Sequence, residues 1–273
     1  MKFLKLLLGL IIVCVLAVAV WLYYPQYQIY KAKQSRVATV SISKEDKEQK
    51  KIDTYLTDLE KINKEKIIHL GLGDSVMKGY GAQEGESYVD VLSNELSTKL
   101  NKQVESVNQG INGHTSTQLR EEVLAHKYDT DITNADIISL NIGGNDILNS
   151  VKRSGYSQAF KEFSTLRDTY KGNMKEILAY VHEKNPSATV IVFELYNPVK
   201  TTESYYSLAN KLLPKWNVIL YDITSNKELI AETTKTINDK HLNYISDDGV
   251  HPNKDGYQQM ADEVMYQLEN TPK

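Results

Sequence analysis

Ser75 has the surroundings of a nucleophilic residue. It follows an apolar run at residues 67–70 and a turn of mostly small residues at 71–74. A serine hydroxyl is a weak nucleophile until a neighbouring base removes its proton. The chemistry that this serine suggests therefore needs a base, a group that orients the base, and donors for a developing oxyanion.

One histidine near the C-terminus is the predicted base. His251 ends the segment Asp248-Gly249-Val250-His251, and Pro252 follows it, which favours a fixed loop. Asp248 lies three residues earlier, so one turn of chain can bring its carboxylate to the imidazole and hold the tautomer. The same pair also fits a helix-capping aspartate beside a surface histidine, or half a metal site. No second His, Asp or Glu cluster has metal-ligand spacing, so no metal is predicted.

Two glycine-containing segments supply the predicted oxyanion donors. Gly113 ends the segment at residues 108–113, and Asn145 directly follows two glycines. Tetrahedral intermediates need two or three donors aimed at the negative oxygen. The backbone N–H groups of Ser75 and Gly113, with the side-chain amide of Asn145, would supply three. Asn145 also fits the N-cap of the helix that follows it.

Other polar residues near these segments are interpreted as structural. Asp74 and Asp146 are assigned to turn and cap hydrogen bonds rather than to proton transfer. His69, inside an apolar run, is interpreted as a core histidine with satisfied hydrogen bonds. Lys152 and Arg153 are interpreted as residues of a solvated loop.

The elements that would position these residues alternate between strands and helices. Strands are predicted at residues 66–70, 104–108, 136–141, 189–194 and 218–223, and helices at 88–100, 116–127, 158–184, 204–213 and 255–269. Near-continuous apolar strands indicate a parallel sheet covered on both faces. Five strand–helix alternations predict a doubly wound α/β domain with its site beyond the carboxyl ends of the strands.

The chemistry-bearing segments, in this order, resemble the motif blocks of the SGNH hydrolases, also called the GDSL esterase/lipase family. The residues that carry the resemblance are Gly73, Asp74 and Ser75, then Asn108, Gly110, Gly113 and Thr115, then Gly143, Gly144, Asn145 and Asp146, then Asp248, His251 and Pro252. It covers roughly residues 66–269. Val76 stands where the family's first block often has Leu, a conservative apolar change.

The resemblance implies a fold and a reaction. The fold is a three-layer α/β/α arrangement of flavodoxin-like type, with a five-stranded parallel sheet in the order 2-1-3-4-5. The reaction is ester or thioester hydrolysis through an acyl-enzyme, without cofactor or metal. The resemblance also assigns the second block's oxyanion donor to Gly113 rather than Gly110.

An uncharged apolar segment at residues 6–24 predicts export. At about 1.5 Å per residue it spans about 28 Å, close to a bilayer core of about 30 Å. It fits an uncleaved signal anchor, which we favour, or a signal peptide cleaved after Ala19. Cys14, the only cysteine, lies inside it, so the exported body has no disulfide. Lipidation of Cys14 is disfavoured because bulky Val13 precedes it.

These observations predict three regions within the 273 residues: a signal anchor or peptide at 1–25, a stalk and amphipathic helix at 26–65, and a hydrolase domain at 66–273. A net charge of −3 offers no basic field for nucleic acid. The expected protein sits in the cell membrane with its domain outside the cytoplasm, or is secreted if cleaved. Its partner would be a small-molecule or lipid ester, alternatively an O-acetylated cell-wall glycan. A non-catalytic envelope binding protein is the remaining hypothesis.

Overall fold

The computed structural model describes residues 2–41, 53–238 and 240–273, and in its first helix it describes the side chains of residue 11 and residues 13–35. In chain order the elements are α1 (Lys2–Ser41), α2 (Tyr55–Glu60), β1 (Lys66–Gly73), α3 (Ser75–Lys78), α4 (Tyr88–Leu100), β2 (Gln103–Gly110), α5 (Ser116–Leu124), α6 (Asp129–Asn134), β3 (Ile137–Asn141), α7 (Gly144–Lys184), β4 (Thr189–Phe193), α8 (Tyr206–Ile223), β5 (Glu228–Ala231), α9 (Thr233–Thr236), a 3₁₀ turn (Leu242–Tyr244) and α10 (Lys254–Asn270).

The five strands form one sheet in the order β2-β1-β3-β4-β5, and each strand is parallel to its neighbours. This confirms the predicted parallel sheet and its strand order. Gly73 at the end of β1 is level with Gly110 at the end of β2 and with Asn141 at the end of β3. The loops that leave these three strands therefore start side by side.

Two buried cores cover the two faces of the sheet, which makes the domain three-layered. Alternate residues of a strand point to opposite faces. In β4, Val190 and Val192 belong to the core with α5, α7 and α8, whereas Ile191 and Phe193 belong to the core with α4 and α10. The near-continuous apolar runs that predicted buried strands are therefore explained by burial on both faces.

The predicted fifth strand at residues 218–223 is wrong. Those residues form the end of α8, and β5 is the shorter segment Glu228–Ala231. The residues from Lys215 to Leu220 are all buried, because α8 packs against α7 on one side and α1 on another. A helix buried on several sides has a continuous apolar run, which periodicity cannot distinguish from a buried strand.

Helix α1 packs on α8 through its second half. The Lys215 side chain lies against the Trp21 ring, with Nζ 3.6 Å from its centroid, and donates a hydrogen bond to the Trp21 carbonyl oxygen. Further along, Lys33 pairs with Glu232 at 2.8 Å, beyond the end of β5. Pro25 is buried. The helix continues through part of the segment expected to form a stalk.

Across the residues that the structure describes, no helix combines the length and apolarity needed for a membrane crossing. The side chains of residues 6–10 and 12, which belong to the predicted apolar segment, lie outside the described residues. So does the first part of the predicted amphipathic helix, residues 43–52. Its last part contains α2, which buries Tyr55, Leu56 and Leu59 in the core with α4 and α10.

Candidate active site

Ser75 is the first residue of α3, immediately beyond β1. Asp74 begins this helix as its N-cap, with its carboxylate accepting a hydrogen bond from the Val76 N–H at 2.9 Å. The Asp74 N–H donates to the Asn141 carbonyl oxygen at 3.1 Å, which ties the turn to the end of β3. Ser75 is 8% exposed. The backbone thus holds the hydroxyl at the carboxyl edge of the sheet.

His251 reaches Ser75 from the loop before α10. Its Nε2 lies 2.8 Å from the Ser75 Oγ. Two backbone hydrogen bonds close the loop, from the Ser246 N–H to the His251 carbonyl oxygen at 2.8 Å and from the Asn253 N–H to the Tyr244 carbonyl oxygen at 2.9 Å. The predicted fixed loop is therefore a closed one, and it points the imidazole at the serine.

Asp248 holds the other side of the imidazole. Its Oδ2 lies 2.6 Å from His251 Nδ1. Its Oδ1 accepts from the N–H groups of Val250 and His251, at 2.8 and 3.0 Å, and from the Ser246 hydroxyl. Although burial by itself would raise the pKa of this carboxyl, these donors hold the pKa well below its usual range. An ionised Asp248 requires a proton on Nδ1, which leaves Nε2 free to accept from Ser75.

The loop that carries Gly113 is joined to Asn145 by a hydrogen bond at His114. Gly113 lies in a turn closed by a hydrogen bond from the His114 N–H to the Ile111 carbonyl oxygen at 3.2 Å, and its φ of 79° is a conformation that glycine adopts without strain. The Asn145 side-chain amide donates to the His114 carbonyl oxygen at 3.0 Å. This uses one of its two N–H bonds and leaves the second available to a ligand.

Asp74 and Asp146 serve as caps, as interpreted from the sequence, but Asp146 caps a distant helix. Its carboxylate accepts from the N–H and the hydroxyl of Ser116, at the start of α5. Burial raises the pKa of Asp146, and hydrogen bonds from Ser116 oppose that shift. Burial also raises the pKa of Asp74 to about 7, which the Val76 N–H opposes and the nearby Asp146 reinforces.

Two residues at the site gave no sequence signal that singled them out. Tyr80 packs its ring 4.6 Å from the His251 imidazole and is 50% exposed. The chain has eighteen tyrosines, so the residue type alone did not single it out. Asn173 is buried within α7 and donates to the hydroxyls of Ser116 and Thr117. A polar residue in a long helix is ordinarily solvent-facing, and its partners lie more than fifty residues earlier.

The remaining polar candidates lie elsewhere. His69 is fully buried between the hydroxyls of Ser93 and Ser139, at 3.0 and 2.8 Å, and burial lowers its pKa to about 4. This confirms its interpretation as a core histidine. Lys152 and Arg153 are exposed but belong to α7 rather than to a loop, and Arg153 pairs with Glu162. Within the described part of the chain, no group of three or more His, Cys, Asp or Glu side chains has metal-binding geometry.

The chain is similar to known lipases and esterases in sequence and fold. Residues 72–259 match the GDSL-like lipase/acylhydrolase family. The uncharacterized protein YpmR of Bacillus subtilis is 29% identical over 222 residues, 77% of this chain and 85% of its own. The spore germination lipase LipC of Bacillus licheniformis is 25% identical over 202 residues, 72% and 93% of the two chains. The solved structure of the lipase Lip_vut3 from a goat rumen metagenome superposes with a TM-score of 0.68 at 22% identity, covering 76% of this chain and 99% of its own. The family match spans more than half of the chain, so this protein belongs to the GDSL-like lipase and acylhydrolase family.

Proposed function

We propose that this protein is an exported serine esterase that hydrolyses carboxylic esters of lipids through an acyl-enzyme on Ser75. The observation that carries the proposal is the unbroken hydrogen-bond chain from Ser75 Oγ through the His251 imidazole to the Asp248 carboxylate. A serine, a base and an orienting carboxylate in this arrangement are the parts that acyl transfer requires. No cofactor or metal enters the proposed reaction.

In the proposed reaction, His251 Nε2 takes the Ser75 proton as Oγ attacks the ester carbonyl carbon. The resulting oxyanion accepts hydrogen bonds from the N–H groups of Ser75 and Gly113 and from the Asn145 amide. The imidazolium is stabilised by ionised Asp248 and gives its proton to the departing alcohol. The alcohol is released, and the acyl group stays bound to Ser75 as the acyl-enzyme. Water then attacks with His251 again as the base, and the acid departs with Ser75 restored.

The preference for lipid esters is supported by where α1 docks. A cavity of about 310 Å³ lies between α1, α8 and the chain beyond β4 and β5, lined by Ile29 and Lys33 of α1 and by Glu194 and Ile237 of the domain. Lys33 of α1 pairs with Glu232, just beyond the carboxyl end of β5, and Ser75 lies just beyond the carboxyl end of β1. Parallel strands have their carboxyl ends at one edge, so this part of α1 lies at the same edge of the sheet as Ser75. The apolar residues that precede this docked part would place a bilayer near the site.

The proposed location follows from the same segment. As an uncleaved anchor, the apolar stretch at residues 6–24 would hold the domain in the membrane, outside the cytoplasm. Cleavage after Ala19 would release the domain but keep Trp21 and Lys33, which contact α8 and Glu232. The similarity to a protein named as a lipase also supports a lipid substrate.

The test is hydrolysis of nitrophenyl esters of increasing acyl length by wild type, Ser75→Ala and His251→Ala. We expect each substitution to lower kcat by roughly 10⁴-fold or more, because members of such a triad act as a unit. Ser154→Ala, on the exposed side of α7, is the matched control. A serine-reactive phosphonate should label wild type and not Ser75→Ala.

The acyl-length profile decides the substrate class. A rate that rises with chain length supports a lipid substrate. Activity confined to acetyl esters would overturn the lipid assignment and favour a glycan O-acetylesterase. Full activity in Ser75→Ala would overturn the mechanism, and a folded protein that neither hydrolyses esters nor reacts with the phosphonate would favour a binding protein.

A further inference from the structure

A buried hydrogen-bond network joins the starts of α5 and α7. The Asp146 carboxylate accepts from the Ser116 N–H at 2.9 Å and from the Ser116 hydroxyl at 2.5 Å. The Asn173 amide, from the second half of α7, donates to the Ser116 hydroxyl at 2.9 Å and to the Thr117 hydroxyl at 3.0 Å. Ser116 is fully buried and Asn173 is 8% exposed.

The direction of each hydrogen bond in this network is fixed. The Ser116 hydroxyl donates to the Asp146 carboxylate and accepts from the Asn173 amide. The Ser116 N–H is one of the first-turn donors of α5 that have no partner inside the helix. Asp146 therefore accepts hydrogen bonds from both a first-turn N–H of α5 and a buried hydroxyl. A buried network in which every donor has an acceptor is rigid.

The network lies next to both proposed oxyanion donors. Ser116 is three residues after Gly113, and Asp146 directly follows Asn145. A second contact reinforces the arrangement, since the Asn145 amide donates to the His114 carbonyl oxygen at 3.0 Å. These two contacts tie the loop that carries Gly113 to the start of α7, which carries Asn145.

We propose that Asp146 and Asn173 are positioning residues that hold the two oxyanion donors, Gly113 and Asn145, at a fixed separation. This inference rests on the proposed esterase function. Donors stabilise an oxyanion only when they are already aimed at it, and a displacement of about 1 Å is enough to cost roughly 10²-fold in rate. Neither Asp146 nor Asn173 contacts the substrate in this proposal.

The first variant is Asp146→Asn, which keeps the shape of the side chain and removes one acceptor oxygen. We expect kcat to fall by about 10- to 100-fold while KM changes by less than about three-fold. The reason is that misplaced donors weaken hydrogen bonds to the oxyanion of the transition state and leave binding of the ester unchanged. Asn173→Ala should act in the same direction. The matched control is Glu176→Gln, which breaks the exposed Arg120–Glu176 pair between the same two helices. Its kcat should equal that of wild type.

A second measurement separates positioning from a general loss of stability. If Asp146 acts through Asn145, then Asp146→Asn should lower kcat much less in an Asn145→Ala background than alone. An equal fold-loss in both backgrounds would overturn the proposal. So would a wild-type kcat in Asp146→Asn.

Hydrogen exchange tests the network without turnover. Amides of residues 111–118 should exchange at least several-fold faster in Asp146→Asn than in wild type or Glu176→Gln. Unchanged exchange would overturn the positioning role. A wild-type protein without Ser75-dependent hydrolysis would instead overturn the proposed function, and the exchange result would still decide whether Asp146 orders this loop.

Discussion

Two carboxylates beside Ser75 and His251 have opposite protonation behaviour because their surroundings differ. Asp248 is partly exposed and accepts three hydrogen bonds at one oxygen, so its pKa is held low. Asp74 is buried and accepts one bond from the Val76 N–H, so its pKa rises to about 7. The first is suited to stabilise an imidazolium. The second stays protonated in the folded protein up to about neutral pH, because burial makes its charged form unfavourable.

The raised pKa of Asp74 predicts a pH-dependent effect on stability. Its folded-state pKa lies above the ordinary 3.8, so the folded state binds the proton more tightly and stability is lost as pH rises from about 4 to about 7. Asp74→Asn removes this charge and retains a good N-cap. The free energy of unfolding of Asp74→Asn, minus that of wild type, should be larger at pH 8 than at pH 5. We expect the increase to be roughly 1–3 kcal/mol.

Urea unfolding of both proteins at the two pH values measures this difference. The matched control is Asp168→Asn, at an exposed position. Its free energy of unfolding should change between pH 5 and pH 8 by the same amount as that of wild type. An Asp74→Asn variant with the same gain at pH 5 and pH 8 would contradict the assignment of a buried, titrating carboxyl.

The residues of the candidate site could be predicted from sequence because each one follows a strand or precedes a helix in a recognisable short segment. Ser75, Gly113 and Asn145 follow β1, β2 and β3, and the register brings those strand ends level. Asn173 could not be found in this way. Its role depends on α7 folding back over the start of α5, a contact between residues far apart in the chain.

At the scale of elements, four of the five strands and the helices α4, α5, α7 and α10 were predictable from their periodicity, although α7 begins at Gly144 rather than at residue 158. Only the first part of α8 was predicted as a helix, at residues 204–213, and its last part was taken for a strand. Helix α4 has the predicted bounds of residues 88–100. In the last part of α8, burial against both α7 and α1 removed the polar face that identifies a surface helix. Burial against α1, which lies outside the domain, depends on tertiary structure and cannot be predicted from a local sequence pattern. The short β5, which begins with the buried Glu228, gave no strong strand signal.

The loop after α3 touches the loop that carries His251, and this contact predicts a selective effect at Gly81. A Cβ at Gly81 would lie 2.5 Å from the Pro252 carbonyl oxygen and 3.2 Å from His251 Cβ. Gly81→Ala must therefore displace one of these two loops, and we expect His251 to move relative to Ser75. We expect kcat to fall by roughly 10-fold or more, because misplacing a base by a fraction of an ångström weakens proton transfer.

Gly85→Ala is the matched control for this prediction. Gly85 also has a positive φ, 81° against 96° at Gly81, but a Cβ there meets nothing within 4 Å. Both variants should lose about 1 kcal/mol of stability from backbone strain, whereas only Gly81→Ala should lose activity. Thermal unfolding and kcat, measured on both variants, separate the two effects. Equal kcat values in the two variants would show that the loop contact does not position His251.

At the scale of the whole molecule, α1 and the domain are joined by charge as well as by packing. Lys33 pairs with Glu232 at 2.8 Å, and its Nζ lies 5.6 Å from the centre of the Tyr221 ring. The charge of Lys33 also opposes the burial that raises the pKa of Glu194. An isolated helix is marginally stable in water, so the outer turns of α1 depend on this contact for their order.

Reversing the charge at residue 33 should therefore release α1 from the domain. In Lys33→Glu, we expect the backbone amides of residues 26–41 to exchange several-fold faster than in wild type, because a carboxylate would face Glu232 and Glu194. The double variant Lys33→Glu/Glu232→Lys should recover part of the protection, and Lys31→Glu, at an exposed position two residues away, should not change it.

Hydrolysis of a soluble nitrophenyl ester should stay at the wild-type rate in all three, since none of these residues contacts Ser75 or His251. Lipid esters in the same bilayer as the protein should be hydrolysed more slowly by Lys33→Glu alone. Unchanged exchange in Lys33→Glu would show that charge does not hold α1, and equal loss on soluble and bilayer esters would show that α1 supports the fold of the site rather than its approach to lipid.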